Sequence, residues 1–104
     1  MARVVRSPRA KQDIVEVLLF TKERWGAAQA RAYRDLIRDA LRAIAADPES
    51  GTQRFTVRPE IWGYHIKRPG QNARHILFYR IAPSGAVEIV RMLHDSMDFE
   101  RHLP

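Results

Sequence analysis

Arg91 and His94 stand three residues apart at the end of the apolar run Val87–His94, and they are the first pair to weigh for chemistry. An arginine among Ile89, Val90, Met92 and Leu93 must be paired or must point to an open face. Strict alternation puts Arg91 with Val87, Ile89 and Leu93, opposite Glu88, Val90 and Met92. It is then either half of an ion pair with Glu88 or Asp98, or an anion site. His94 is either a general acid–base group beside Arg91 or a strand-end histidine bonded to a neighbour such as Asp98. No partner base or nucleophile lies near it in sequence, which favours the structural role. His65 alternates opposite Trp62, Tyr64 and Ile66, and His102 falls in the tail. The four histidines lack ligand spacing, so neither a metal nor a cofactor is expected. The absence of cysteine removes disulfides and a thiolate nucleophile.

Charge narrows the partners. The net charge is +6, and fifteen of the eighteen basic residues are arginine. Residues 1–52 hold ten Lys/Arg against seven Asp/Glu, residues 53–91 seven against two, and residues 92–104 one against three. The surplus therefore sits on the later, strand-like part of the chain. Guanidinium groups fork onto carboxylates or phosphates, so an acidic protein segment or a nucleic acid can meet this surface. No apolar run reaches the roughly 20 residues of a membrane span, and no signal-peptide pattern opens the chain, so a cytoplasmic protein is expected.

The positioning elements follow from periodicity. Arg3–Arg6 is a short strand. Ser7 and Pro8 give an N-cap and a proline at the first helical position. Ala10, Ile14, Val17, Leu18 and Thr21 form a helical stripe that Trp25 extends, and Gly26 breaks it. Tyr33, Ile37, Ala40, Leu41 and Ile44 mark a second helix, stopped at Asp47-Pro48. Trp62, Tyr64 and Ile66 alternate as a strand with one buried face. Trp25 could serve as core, rim or base-stacking platform, whereas Trp62 belongs to the core. A turn is expected at Pro69-Gly70-Gln71-Asn72. Two further strands follow, His75–Ile81 and Val87–Leu93, joined by a turn at Ala82-Pro83-Ser84-Gly85. Phe99 and Leu103 at i, i+4 suggest a helical turn docked on the sheet edge.

The order β-α-α-β-β-β predicts a single α+β domain over 1–104, with an N-terminal strand and a two-helix hairpin on one face of a mostly antiparallel sheet. The run from Ile76 is apolar on both alternating sides. Ile76 and Phe78 share one face with Arg80, and Leu77, Tyr79 and Ile81 share the other. A sheet backed by helices needs only one apolar face. The side carrying Leu77, Tyr79 and Ile81 is therefore expected to be covered from outside by another protein.

These residues resemble a known family. Val5-Arg6-Ser7-Pro8-Arg9-Ala10 with Asp13-Ile14, then Tyr64-His65-Ile66, Ile76–Arg80 and above all Val87–His94 with Met97-Asp98 are similar to the ParE branch of the RelE/ParE toxins. The resemblance runs from about Arg3 to Leu103. It implies the toxin of a type II toxin–antitoxin pair, neutralised by a ParD-like antitoxin. For this branch it implies a protein that binds DNA gyrase and blocks replication rather than a conventional enzyme. The RelE branch implies instead a ribosome-dependent mRNA endonuclease, with Lys67, Arg68, Arg74, His75, Tyr79, Arg80, Arg91 and His94 on the elements such enzymes use. Arg74, Arg80, Arg91 and His94 are its catalytic candidates. Acids at Asp95, Asp98 and Glu100 would repel an RNA phosphate, which favours the ParE branch.

On that resemblance the antitoxin segment is expected to bind as an amphipathic helix, an added strand, or both. Its acids would meet Arg54, Arg58, Arg68 and Arg74. Its apolar residues would cover Leu77, Tyr79 and the outer helix face near Val15 and Leu19. Arg91, His94, Phe99 and Arg101 are the candidate contacts to the target. No sequence-specific DNA binding by the chain alone is expected.

Overall fold

The computed structural model describes residues 1–68 and 71–104, with no side chain described at 68, 71 or 72. Its elements are β1 (Val4–Arg6), α1 (Pro8–Trp25), α2 (Ala27–Ala46), β2 (Trp62–Arg68), β3 (Gln71–Ile81) and β4 (Val87–His94). Short 3-10 turns lie at Pro48–Ser50 and Phe99–Arg101. The sheet order is β1-β4-β3-β2. β1 runs parallel to β4, and the other pairings are antiparallel. The helical hairpin connects β1 to β2, the two edge strands of the sheet, and the predicted α+β architecture holds.

Local signals account for the boundaries. Ser7 caps α1 by accepting from the Ala10 N–H at 3.0 Å, and its hydroxyl donates to the Val90 carbonyl at 3.0 Å. The cap thus also ties the helix start to β4. Gly26 is the one residue between the helices, at φ 94°, which an L side chain rarely adopts. At the β3–β4 turn Ala82 N–H bonds to Ala86 O and Gly85 N–H to Ala82 O, both at 2.8 Å. Gln71 and Asn72 are not turn residues. They pair with Arg68 and Lys67 as the start of β3. The other half of that expected turn, Pro69 and Gly70, lies outside the described residues.

The sheet carries two apolar layers. On the helix side Leu77, Tyr79, Val87, Ile89, Met92 and Ile66 pack with Ala10, Ile14, Tyr33, Ile37, Ala40 and Ile44. On the other side Ile76, Phe78, Val90 and Leu93 pack with Ile61 and Leu103, flanked by Phe55, Met97 and Phe99. This corrects the expectation of a face awaiting a foreign chain. Leu77 and Tyr79 are 0% exposed beneath the helices. The second face is roofed by the chain itself, through the loop 51–61 and the tail 97–104.

Roofing needs close approach. A Cβ on Gly63 would lie 2.3 Å from the Phe55 ring, so only glycine at this point of β2 lets the loop lie flat. Gly63 and Thr52 exchange two backbone hydrogen bonds, at 2.7 and 2.9 Å. The Phe55 ring meets Phe78, Phe99 and His65 edge to face. Glu100 on the tail accepts from the Thr56 hydroxyl and pairs with Arg58, which also donates to the Pro104 carbonyl.

β4 does not alternate strictly. Phe78 pairs with Arg91 but Tyr79 pairs with Ile89, so Val90 is an extra residue. The bulge resets the faces. Val87, Ile89 and Met92 go to the helix side, and Val90 and Leu93 to the other. Strict alternation puts Leu93 with Val87 and Ile89, and Met92 opposite them; both expectations are reversed.

Candidate partner-binding groove

Past the bulge β1 no longer covers β4, and α1 takes its place. Asp13 on the buried side of α1 is 5% exposed. It accepts from Arg91 Nε at 2.7 Å and Nη2 at 3.0 Å, and from the Met92 N–H at 3.0 Å. Arg91 Nη1 donates on to the His102 carbonyl at 3.1 Å. One guanidinium thus fastens helix, strand and tail. Neither Glu88 nor Asp98 is its partner. Asp13 is seventy-eight positions away in sequence, and periodicity places it only on the stripe beside Ile14.

Beside this pair runs a groove of about 710 Å³ between α1 and the ends of β3 and β4. Phe20, Trp25, Val17, Met92 and Met97 form its apolar walls, and Arg9, Arg74, His75, His94 and His102 its basic ones. Phe20 and Trp25 are 62% and 65% exposed. Arg24 lies over the Trp25 ring at 5.5 Å, which fixes that indole at the rim.

Two of the groove histidines, His75 and His94, touch, with ring centroids 5.3 Å apart. His75 Nδ1 lies 2.7 Å from the Tyr33 hydroxyl. Burial first, then the neighbouring His94, lowers the His75 pKa to about 4, against a small opposing pull from Asp95, so this ring is neutral at pH 7. His94 Nδ1 accepts from the Ser96 N–H at 3.1 Å and contacts its hydroxyl at 2.7 Å. In this arrangement the neutral ring carries its hydrogen on Nε2. Ser96, with Asp95 at 3.4 Å, takes the place expected for Asp98.

The sequence candidates separate in space. Arg74, Arg91 and His94 line the groove; Arg80 does not, and pairs with Glu88 at 2.8 Å. Arg91 is committed to Asp13 and Arg80 to Glu88, so of the four catalytic candidates Arg74 and His94 are the two that line the groove without being held by those acids. Val15 and Leu19 are each 55% exposed on α1. Phe20 follows Leu19 and so projects about 100° around the helix from it. Leu77 and Tyr79 are withdrawn as contacts because both are buried. The Tyr79 hydroxyl donates to Pro48 O at 2.6 Å and accepts from Gly51 N–H at 3.1 Å, and burial raises its pKa. Arg54 is exposed in the roofing loop, away from the groove, and Arg58 is held by Glu100. Arg68 lies outside the described side chains. Phe99 packs against Phe78, whereas Arg101 is exposed. Among the described residues no group of acids and histidines could hold a metal ion, and no helix is long and apolar enough to cross a membrane.

The comparisons with known proteins agree with this fold. A family described as "ParE toxin of type II toxin-antitoxin system, parDE" matches residues 4–99. Toxin ParE1 of Mycobacterium tuberculosis (strain H37Rv) is 35% identical over 102 residues, 98% of each chain. Toxin ParE1 of Caulobacter vibrioides is 34% identical over 97 residues, 93% of each chain. A solved chain described as "Chromosomal ParDE TA system from P. aeruginosa" superposes with a TM-score of 0.75 at 14% identity, covering 90% of this chain and 96% of that one. With a family match across nearly every element and relatives covered almost end to end, the chain belongs to the ParE toxins of type II toxin–antitoxin systems.

Proposed function

We propose that this toxin is held inactive by a ParD-like antitoxin seated on α1 and its groove, and that the released toxin inhibits DNA gyrase in the cytoplasm and so blocks replication. The observation that carries the antitoxin reading is the outer side of α1. Val15, Leu19, Phe20 and Trp25 are all more than half exposed, in a chain that roofs even the second face of its sheet. Exposed aromatics beside arginine are the groups on which interface energy concentrates. Because Leu19 and Phe20 diverge, the antitoxin segment straddles the helix, with acidic side chains toward Arg74. The gyrase reading rests on the family resemblance. Purified toxin added to gyrase in a supercoiling assay is expected to inhibit it, and the antitoxin to restore activity. Undiminished supercoiling at toxin in excess over gyrase would reject this target.

Ribosome-dependent transcript cleavage is the second reading, supported by the two imidazoles beside Arg74. It is the weaker one. The Nδ1 lone pair of His94 is occupied, and His75 at about 4 is a poor base at neutral pH. Expression with codon-phased transcript ends and immediate translation arrest would favour it over stalled replication.

A further inference from the structure

The outer side of α2 carries Arg31, Arg34, Arg38 and Arg42, spaced three, four and four residues apart. That spacing sets them in one row, about 16 Å long at 1.5 Å per residue. All four are exposed, on the side of the helix opposite buried Tyr33, Ala40 and Ile44. Arg6 of β1 joins them where Arg6, Arg34 and Arg38 rim a hollow of about 380 Å³ beside the helix. Asp35 meets Arg38 at 2.7 Å and Arg34 at 3.6 Å. Asp39, the other acid of α2, also lies on the flank of the row. Arg6, Arg31 and Arg42 have no side-chain partner among the described residues.

Helix stability does not explain the row. Arg34–Arg38 and Arg38–Arg42 are like-charged i, i+4 pairs, which weaken a helix. A glutamate at position 34 would instead pair with Arg38. Successive arginines three or four apart lie about 5–6 Å from one another. This suits a regular line of singly charged oxyanions better than the irregular acids of a folded protein surface. Guanidinium forks match phosphate oxygens in pairs.

We propose that the Arg31–Arg34–Arg38–Arg42 row, with Arg6, is a sequence-independent docking surface for the phosphate backbone of duplex DNA. It is separate from the α1 groove and independent of the gyrase reading. Fluorescence anisotropy of the full chain with a labelled duplex of arbitrary sequence, titrated at several salt concentrations, tests it. Each phosphate contact contributes about 0.9 to the slope of log affinity against log salt. The double variant Arg34→Gln/Arg38→Gln is therefore expected to lower that slope by about 1.8, with helicity by circular dichroism undiminished. The charge-matched variant Lys11→Gln/Lys22→Gln, on α1, is expected to leave the slope nearly unchanged. Equal losses in the two variants would mean diffuse attraction and overturn the proposal. So would an unaltered slope in the arginine variant, or polyglutamate displacing the duplex at equal charge, which would assign the row to an acidic protein.

Discussion

A single carboxylate sets the geometry of the groove floor. Asp13 neutralises Arg91, accepts the Met92 N–H, and through Arg91 holds the His102 carbonyl of the tail. Removing one partner of a buried ion pair leaves a desolvated charge, which typically costs about 3–5 kcal/mol. Asp13→Asn keeps an acceptor for Met92 but not the charge, so a loss of about 3 kcal/mol in urea unfolding is expected. A loss below about 0.5 kcal/mol would mean that solvent reaches Arg91. His75 gives a pH dependence at the same scale. Its folded pKa is about 4, against 6.5 unfolded. Between those values the unfolded chain binds a proton that the folded chain refuses, so stability declines as pH falls from about 6.5 to 4 and levels off below. The full shift corresponds to about 3 kcal/mol; a ring partly open to the groove is screened, and about 1–2 kcal/mol is expected. His75→Gln should flatten that part of the stability–pH curve relative to the parent chain, whatever it does to stability at pH 7.5. Parallel curves would remove His75 as the cause.

At the scale of elements, the helices cover the Leu77 and Tyr79 face that was expected to await a foreign chain, and the roofing loop and tail cover the Ile76 and Phe78 face. Gly63→Ala tests the roof directly. The added Cβ would meet a Phe55 ring that three other rings hold in place, so the loop must lift. Overpacking of this kind costs about 1–3 kcal/mol. Faster amide exchange across 52–58 should accompany it, and exchange confined to residue 63 would show that the ring simply moves aside. The helices and strands were readable because caps, proline, glycine and periodicity are local signals. Ser7, Gly26 and Asp47-Pro48 stand where those signals put the boundaries. The faces of Met92 and Leu93 were not readable, because a bulge adds one residue without changing composition, and the side chains after it then switch sides. Nor was the roof. Phe55 and Ile61 sit in a stretch without period, so nothing short of the tertiary fold couples them to Phe78. The Asp13–Arg91 pair was out of reach for the same reason, since only packing brings the two ends of the chain together.

Over the whole molecule, the distinction that matters is between apolar residues the fold consumes and those it leaves over. Leu77 looked like a contact residue by alternation but is 0% exposed in the helix-side core. Leu77→Ala should cost about 2–5 kcal/mol of stability, as buried leucines do. Trp25 and Phe20, in contrast, keep most of their surface in solvent and take little part in holding the fold. Trp25→Ala and Phe20→Ser should therefore leave the melting temperature nearly unchanged. Each should weaken antitoxin binding by about 10- to 100-fold, because truncating an aromatic anchor costs about 1–3 kcal/mol at an interface. Titration calorimetry with the antitoxin alongside thermal melts separates the two kinds of residue. If Trp25→Ala and Phe20→Ser both bind as the parent chain does, the α1 groove is not the antitoxin's seat. The contact would then move to the Val15–Leu19 side of the same helix.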